Sequence, residues 1–266
     1  MDNLNLMLEI FKLLNFKTQL SLIFTCRLFK NNLFITDLYH IDFKYLDRLN
    51  NDILKLEIFE NVKYLNAGDS NITDVSFMKK LKQLKATGYS KINQNSINGL
   101  NLVKLNVRYN SNVCNVAFMT NLKKLNASYC LLSGKECGIG QEGIEGLDLV
   151  KLNANGNNKI FDVSFMKNLK ILYAGGRICG ICQNSINKLN LIKLHAFENG
   201  KINNVSFMNS LKVLNAECDE CGINQNGING LDLIVLHATF NRKIYDVSWM
   251  KNLKDKHLSK KFMMYL

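Results

Sequence analysis

The hydrophobic residues of this chain recur in a short pattern that repeats along most of its length. In the segment NLKKLNASYC, Asn121 to Cys130, the positions Leu122, Leu125, Ala127 and Cys130 read LxxLxAxxC. Nine segments share this frame, at successive spacings of 19, 21, 20, 27, 20, 22, 20 and 22 residues. They begin at Val62, Leu81, Leu102, Leu122, Leu149, Leu169, Leu191, Leu211 and Leu233. A fixed period near 20 residues predicts a solenoid in which each repeat forms one coil.

Each copy predicts one short strand. Leu125 and Ala127 alternate with the polar residues Lys124, Asn126 and Ser128, which is the period of a strand with one buried face. Stacking such strands in parallel buries the leucines and alanines, so stability comes mainly from contacts between neighbouring coils.

The segments between strands are of two alternating kinds. One resembles ITDVSFMKKL from Ile72 and the other INQNSINGL from Ile92, so the full repeat has two coils and about 42 residues. In the first kind we expect Asp74 to cap a short helical turn and Val75, Met78 and Leu81 to point inward. The equivalents of Asp74 are Asn115, Asp162, Asn204 and Asp246.

This pattern resembles the leucine-rich repeat, and ITDVSFMKKL followed by LKQLKA is similar to its internalin-like class. The resemblance implies an α/β solenoid with a parallel sheet on the concave face, short helical turns on the convex face, and a protein partner on the sheet. Alanine replaces the usual third leucine, so we expect large aromatic residues to fill the core. They are Phe77, Phe118, Phe165, Phe207 and Trp249.

Residues 1–34 differ from the repeats, because their apolar residues fall at helical spacing. We predict two short helices separated by a polar break at 15–18, followed by a transitional, degenerate first repeat at 35–61. There Ile53, Leu56, Ile58 and Asn61 fit the repeat frame. The array itself then occupies 62–266, as about nine to ten coils of 19–27 residues with a basic C-terminal cap at 251–266.

The segment LEIFKLLNFKTQLSLIFTCRLFKN resembles the F-box motif, with Ile10, Leu14, Leu20, Cys26, Arg27 and Phe29 at the family's spacing. It lacks the usual Leu-Pro opening, and Gln19 stands where leucine is usual. The resemblance implies that residues 5–32 dock on a Skp-family adaptor of a cullin-type ubiquitin ligase. The residues it implies for that contact are Ile10, Leu14, Leu20 and Phe29. Without it, the same helices are an N-terminal cap of a plain interaction scaffold.

Charge and composition narrow the function classes. Among 266 residues the net charge is +12, and the lysines recur in every repeat, which is typical of solvated faces. Anion or nucleic-acid binding remains a third hypothesis and predicts a steep dependence on salt. The N-terminus lacks a basic region and a cleavage site, and no apolar run reaches membrane length, so we expect an intracellular, cytoplasmic protein with reduced cysteines, the nucleus not being excluded.

The motifs that could indicate a nucleotide or metal site are variants of the repeat. Gly138–Gly143 reads GxGxxG, but related segments elsewhere make it a local variant of the repeat. The CxxC pairs Cys179/Cys182 and Cys218/Cys221 suggest zinc, yet Cys137, Cys179 and Cys221 recur every 42 residues. That places them about 10 Å apart, too far for one four-thiolate ion. We therefore expect buried thiols, no metal, no cofactor and no catalysis.

The polar side of the strands is the remaining candidate site. Its central column is Asn66, Lys85, Asn106, Asn126, Asn153, Tyr173, His195, Asn215 and His237. We expect the asparagines to solvate the sheet. Aromatic and arginine side chains on a rigid surface favour binding, so the predicted contacts of a target protein are Arg108, Tyr173, His195, Phe197 and His237.

Overall fold

Each repeat forms one coil whose strand has one buried face. In this computed structural model the described residues are 10–11, 14–25, 33–41, 43–129 and 136–258. In strand β5 (Lys124–Asn126), Leu125 is 2% exposed and the following Ala127 is fully buried, whereas Lys124 is exposed. The predicted alternation is confirmed within the strand, but Ser128, which the pattern places on the outward side, is only 4% exposed.

Two compact units make up the chain, Met1–Leu105 and Asn106–Leu266. In the second unit the strands are parallel, and each pairs with the next in chain order. These strands are β5, β6 (Lys151–Asn153), β7 (Ile171–Tyr173), β8 (Lys193–His195), β9 (Val213–Asn215), β10 (Val235–Ala238) and β11 (Asp255–Leu258). The central leucines of β5 to β10 lie opposite one another, so the predicted parallel-strand solenoid is confirmed.

In the first unit, β1 (Asp37–Leu38), β2 (Tyr64–Asn66) and β3 (Gln83–Lys85) also pair in parallel. Strand β4 (Lys104–Asn106) lies where the two units meet along the chain. The α-helices are α1 (Phe16–Thr25), α2 (Phe43–Leu46), α3 (Asn51–Leu54) and α4 (Gln94–Ile97), with α5 (Gln183–Ile186) in the second unit. Three-residue 3-10 helices are Glu57–Phe59, Glu142–Ile144 and Asn226–Ile228.

The segment 35–61 contains a strand, but the frame predicted for it from Ile53 to Asn61 is wrong. That frame falls on α3 and on the 3-10 helix Glu57–Phe59, while the strand is β1, where Asp37 pairs with Tyr64. The Asn50 side chain accepts a hydrogen bond from the Ile53 amide at 2.9 Å, which caps α3 and favours a helical start there.

The N-terminal segment is helical on both sides of a short break. Asn15 accepts a hydrogen bond from the Thr18 amide at 3.0 Å and caps α1, so the break ends at Asn15 and not at Thr18 as predicted. Ile23 is 1% exposed, whereas Phe24 is 71% exposed. The F-box positions Cys26, Arg27 and Phe29 lie outside the described residues.

The return segments of the DVSFM kind form tight turns rather than helical turns. The Asp74 carboxylate accepts a hydrogen bond from the Ser76 amide at 2.8 Å, an Asx turn two residues long. The same bond forms at Asn115, Asp162, Asn204 and Asp246. Val75, Met78 and Leu81 are buried, so their inward direction is confirmed.

The aromatic residues that were expected to fill the core do not enter it. Phe118 and Phe207 are 41% and 38% exposed, and Phe77, Phe165 and Trp249 are half-buried. The core of the coils from 136 to 233 instead contains fully buried aliphatic residues of the return segments. Examples are Ile139, Val163, Ile181 and Val205.

Buried asparagines tie alternate coils to the coil before them. Asn199 is 1% exposed, and its amide donates to the Ala174 carbonyl at 2.6 Å and to the Ile181 carbonyl at 3.0 Å. Its side-chain oxygen accepts from the Lys201 amide at 2.9 Å. Asn157 and Asn241 make the equivalent three bonds. The asparagines thereby satisfy backbone groups that burial would otherwise leave unpaired.

Buried cysteines bond to the preceding coil in the coils that lie between those with a buried asparagine. The thiols of Cys137, Cys179 and Cys221 are buried and point at the carbonyls of Val107, Ala154 and Ala196, with sulfur–oxygen distances of 3.6, 3.5 and 3.4 Å. Burial raises the pKa of each thiol to about 11. The predicted buried thiols are therefore present, and they stay protonated at neutral pH.

The glycines of the GxGxxG string have a packing role. A Cβ at Gly138 would lie 2.5 Å from the carbonyl oxygens of Ser111 and Val113, and one at Gly143 would collide with the Cys114 carbonyl. Gln141 binds the next coil, because its oxygen accepts from the amides of residues 161 and 162 and its nitrogen donates to carbonyl 162. The string therefore serves to stack coils closely.

No helix among the described residues is long and apolar enough to span a membrane.

Candidate functional site

The outward positions of five consecutive strands in the second unit form a continuous row. Tyr173 lies opposite His195, His195 opposite Asn215, Asn215 opposite His237, and His237 opposite His257. We call these five residues the histidine row. Its neighbours are about 4.8 Å apart along the sheet, so a bound surface would meet all of them together.

The asparagines of the predicted column have a local structural role. Asn126, Asn153 and Asn215 each accept a hydrogen bond from the amide two residues on, at 3.1 Å in each case, which closes the turn after the strand. Asn66 makes the same bond and is only 7% exposed. The oxygens of these asparagine side chains therefore bond the backbone of their own turn, whereas the sequence had suggested that they only solvate the sheet.

Tyr173 and His195 form a stacked pair. Their ring centroids are 4.4 Å apart with an interplanar angle of 18°. Lys151 and Lys193 place their ammonium groups 5.1 and 5.8 Å from the centroid of the Tyr173 ring. The pair is thus a half-buried aromatic platform with two cations beside it.

The His195 ring is uncharged at neutral pH. Desolvation by burial, and then the positive charge of Lys193, lower the pKa of His195 from 6.5 to about 4. Its Nε2 atom is buried and has no hydrogen-bond partner within the described part of the chain. A buried polar atom without a partner is costly, so a ligand that reaches Nε2 gains a contact.

Phe197 continues this platform beyond the end of β8. Its ring lies against Gly175, where a Cβ would collide with two of the ring's carbon atoms. The absence of a side chain at Gly175 therefore lets Phe197 lie flat on the neighbouring coil. Tyr173, His195 and Phe197 consequently form one local cluster.

Arg108 is placed apart from that cluster. It follows β4, three strands before β7, and its guanidinium stacks on the Tyr109 ring with 4.3 Å to the centroid and contacts the Tyr109 hydroxyl. At about 4.8 Å per strand the separation from Tyr173 is roughly 14 Å. Of the predicted contact residues, the structure therefore groups Tyr173, His195 and Phe197, and places His237 two strands from His195.

The end of the row contains two residues that sequence reasoning missed. The His237 Nε2 atom lies 3.5 Å from one oxygen of Asp255, and the His257 Nε2 atom lies 3.1 Å from the other. The cluster of lysines in this segment predicts a basic cap, and the leucine frame gives no sign of a strand, because Lys256 stands opposite Leu236 where the nine copies of the frame have leucine. The 20-residue spacing from His237 to His257, equal to the repeat period, was the available signal.

At the N-terminus, Ile10 is 51% exposed, and Leu14 and Leu20 are half-buried. The Gln19 side chain donates to the Phe11 carbonyl at 2.9 Å and joins α1 to the turn before it. Phe29, the fourth residue predicted to contact an adaptor, lies outside the described residues.

The burial of His195 gives the first prediction. We expect the imidazole of His195 to titrate near pH 4 in an NMR titration, and Tyr173→Ala to raise that pKa towards 6.5, because the substitution exposes the ring. Tyr245→Ala is the matched control, since Tyr245 is 66% exposed on a return segment. An imidazole that titrates at its ordinary pKa in the unmodified chain would contradict the described packing.

No family model matches the chain, and no curated protein matches it. Solved structures that match the chain include an internalin (InlF) of Listeria monocytogenes, with 17% identity and a TM-score of 0.38. That match covers 77% of this chain and 69% of the other. The functional domain of InlJ from Listeria monocytogenes, described as including a cysteine ladder, has 16% identity and a TM-score of 0.41. It covers 86% of this chain, which spans about half (53%) of the InlJ chain.

Proposed function

We propose that this chain is a non-catalytic protein-binding solenoid and that its partner contacts the histidine row. The observation that carries this proposal is the stacked pair of Tyr173 and His195, held on a rigid sheet with the Phe197 ring beside it. Half-buried aromatic side chains on a fixed backbone are favoured as binding anchors, because little conformational entropy is lost when a partner covers them.

The electrostatics of the platform favour a partner with an acceptor group. His195 is neutral and its Nε2 atom is buried, so the positive charge of the platform comes from the lysines beside it. Lys151 and Lys193 flank the ring of Tyr173. A carboxylate or backbone carbonyl approaching Tyr173 would meet two cations at once.

The chemistry of the thiols supports binding over nucleophilic catalysis. A thiolate is the reactive form of cysteine, whereas the buried Cys137, Cys179 and Cys221 have pKa values raised to about 11. Each of them also donates to a backbone carbonyl of another coil. Their role is therefore to hold coils together.

Affinity capture with matched surface variants tests the proposal. The full chain is immobilised and exposed to protein extract of its native host, beside the double variant Tyr173→Ser with His237→Ser. The control is Phe161→Ser with Tyr245→Ser, which changes residues 55% and 66% exposed on return segments. We expect the amount of each captured protein, measured by mass spectrometry, to fall at least tenfold with the row variant, because anchor truncation costs more than about 1.4 kcal/mol. The control variant should capture the same amounts as the unmodified chain.

Retention of the same proteins by the row variant, or their loss with the control variant alone, would refute the assignment of the histidine row. Far-ultraviolet circular dichroism of both variants establishes that the fold is kept. The same assay also tests the third hypothesis, nucleic-acid binding, because the amount of captured nucleic acid would fall steeply as the salt concentration rises.

As a second candidate function we propose that the N-terminal helices dock on a Skp-family adaptor, which would make the chain a substrate-recognition subunit of an intracellular, cullin-type ubiquitin ligase. The support is that this segment combines buried and exposed apolar residues. Phe11 and Ile23 are buried, while Ile10 and Phe24 are 51% and 71% exposed. The buried pair is what a cap of the first coil needs, and the exposed pair has no such role.

Binding to a purified Skp-family adaptor distinguishes docking from capping alone. We expect Ile10→Asp with Phe24→Asp to raise the dissociation constant by about 30-fold or more, since the loss of even one anchor costs about 2 kcal/mol. Lys17→Ala on the same helix is the control and should leave the constant unchanged. No binding of the unmodified chain would leave the helices as a cap and end the ligase proposal.

A further inference from the structure

Three potential metal ligands meet on the outward face of the last two strands of the second unit. Asp255 and His257 are two residues apart on β11 and therefore point to the same side of the sheet. His237 lies directly opposite His257 on β10. One ligand atom from each of the three lies within 4.8 Å of the others, and this is the one such group of three among the described residues.

The three ligand atoms lie close enough together to converge on one ion. Nitrogen and oxygen ligands about 2.0–2.2 Å from a zinc ion lie roughly 3.3 Å apart in tetrahedral geometry. The two histidine-to-carboxylate distances are 3.1 and 3.5 Å, and the two imidazole centroids are 4.8 Å apart. Because these two contacts use different oxygens of Asp255, the side chains must rotate to bring one oxygen and both imidazoles onto one centre, and their exposure leaves room for that rotation.

The ligand set selects the class of ion. Two imidazoles and one carboxylate suit borderline ions such as Zn²⁺, Ni²⁺, Cu²⁺ and Co²⁺, whereas Mg²⁺ and Ca²⁺ prefer oxygen ligands alone. The side chains of His237, Asp255 and His257 are 36%, 52% and 57% exposed. An ion held there would therefore keep at least one coordination position open to solvent.

We propose that His237, Asp255 and His257 form a three-ligand binding site for a divalent transition-metal ion of the zinc class. The sequence had led us to expect no metal, on the basis of the cysteines, and the site proposed here uses none of them. The site shares His237 and His257 with the histidine row, but binding of the ion alone tests it without any protein partner. Its open position faces the side of the sheet on which the row lies.

Two other histidines provide matched comparisons. His195 belongs to the same row, but the nearby carboxylate of Glu217 has only a minor effect on the pKa of His195, and His195 forms no ion pair with a carboxylate among the described residues. His40 has a carboxylate, since its Nδ1 atom lies 3.4 Å from Asp37, but no third potential ligand lies beside this pair among the described residues. The proposal therefore predicts that neither residue contributes to tight binding.

Isothermal titration of the full chain with Co²⁺, Zn²⁺ and Mg²⁺, under reducing conditions at pH 7.5, tests the site. We expect one Zn²⁺ and one Co²⁺ per chain and no heat with Mg²⁺. His257→Ala and the isosteric Asp255→Asn should each weaken Zn²⁺ binding by about tenfold or more, because even residues that only support a ligand are worth 10- to 100-fold. His195→Ala and His40→Ala should leave the constant unchanged.

The absorption spectrum of the Co²⁺ form separates this site from the cysteines. We expect no sulfur-to-cobalt charge-transfer band, and selective broadening of the His237 and His257 imidazole signals in NMR spectra with substoichiometric Co²⁺. Absence of stoichiometric binding would overturn the proposal and leave an ordinary pair of histidine–aspartate contacts. Binding that survives both His257→Ala and Asp255→Asn, or that shows a thiolate band, would overturn it as well.

Discussion

The second unit depends on a buried series of side chains that bond each coil to the one before it. Asparagine and cysteine alternate in this role, so that Asn199 donates to the Ala174 carbonyl and Cys221 to the Ala196 carbonyl. The carbonyls of the strand alanines are buried and need a donor. Because the donors recur every two coils, the 42-residue unit of the sequence reflects a physical alternation between an amide and a thiol.

This bonding has a direct consequence for the surface. Since each coil is held in one register on its predecessor, the outward residues of successive strands are brought side by side, as Tyr173 is with His195 and His237 with His257. The buried positions barely vary between copies, whereas the outward ones do. Surface chemistry can therefore differ from coil to coil while the scaffold stays the same, and the row is where the difference is largest.

Much of the fold can be predicted from the sequence, because a pattern that is ambiguous in one short segment becomes clear when it recurs in many copies. Nine copies of one frame place the strands, and the buried leucines and alanines agree with the prediction. The prediction that the aromatic residues of the return segments fill the core is wrong, because the buried positions of these segments are aliphatic, as at Val163 and Ile181. The repeat frame does not predict strand β11, because Lys256 occupies the position that is leucine in the other copies. A lysine can occupy this position because it is exposed there. The contact between His237 and Asp255 depends on the pairing of β11 with β10, so no short sequence motif predicts this contact.

The register of the strands is the central claim, because the row and the grouping at its end both follow from it. Disulfide trapping measures it directly: in the double variant Asn153→Cys with Tyr173→Cys the two residues lie opposite each other. Their Cα atoms should be about 4.8 Å apart, within the roughly 4.4–6.8 Å that a disulfide spans. We predict rapid cross-linking of this pair under mild oxidation and none for Asn153→Cys with Ile171→Cys, which is offset by two residues. Preferential cross-linking of the offset pair would contradict the account.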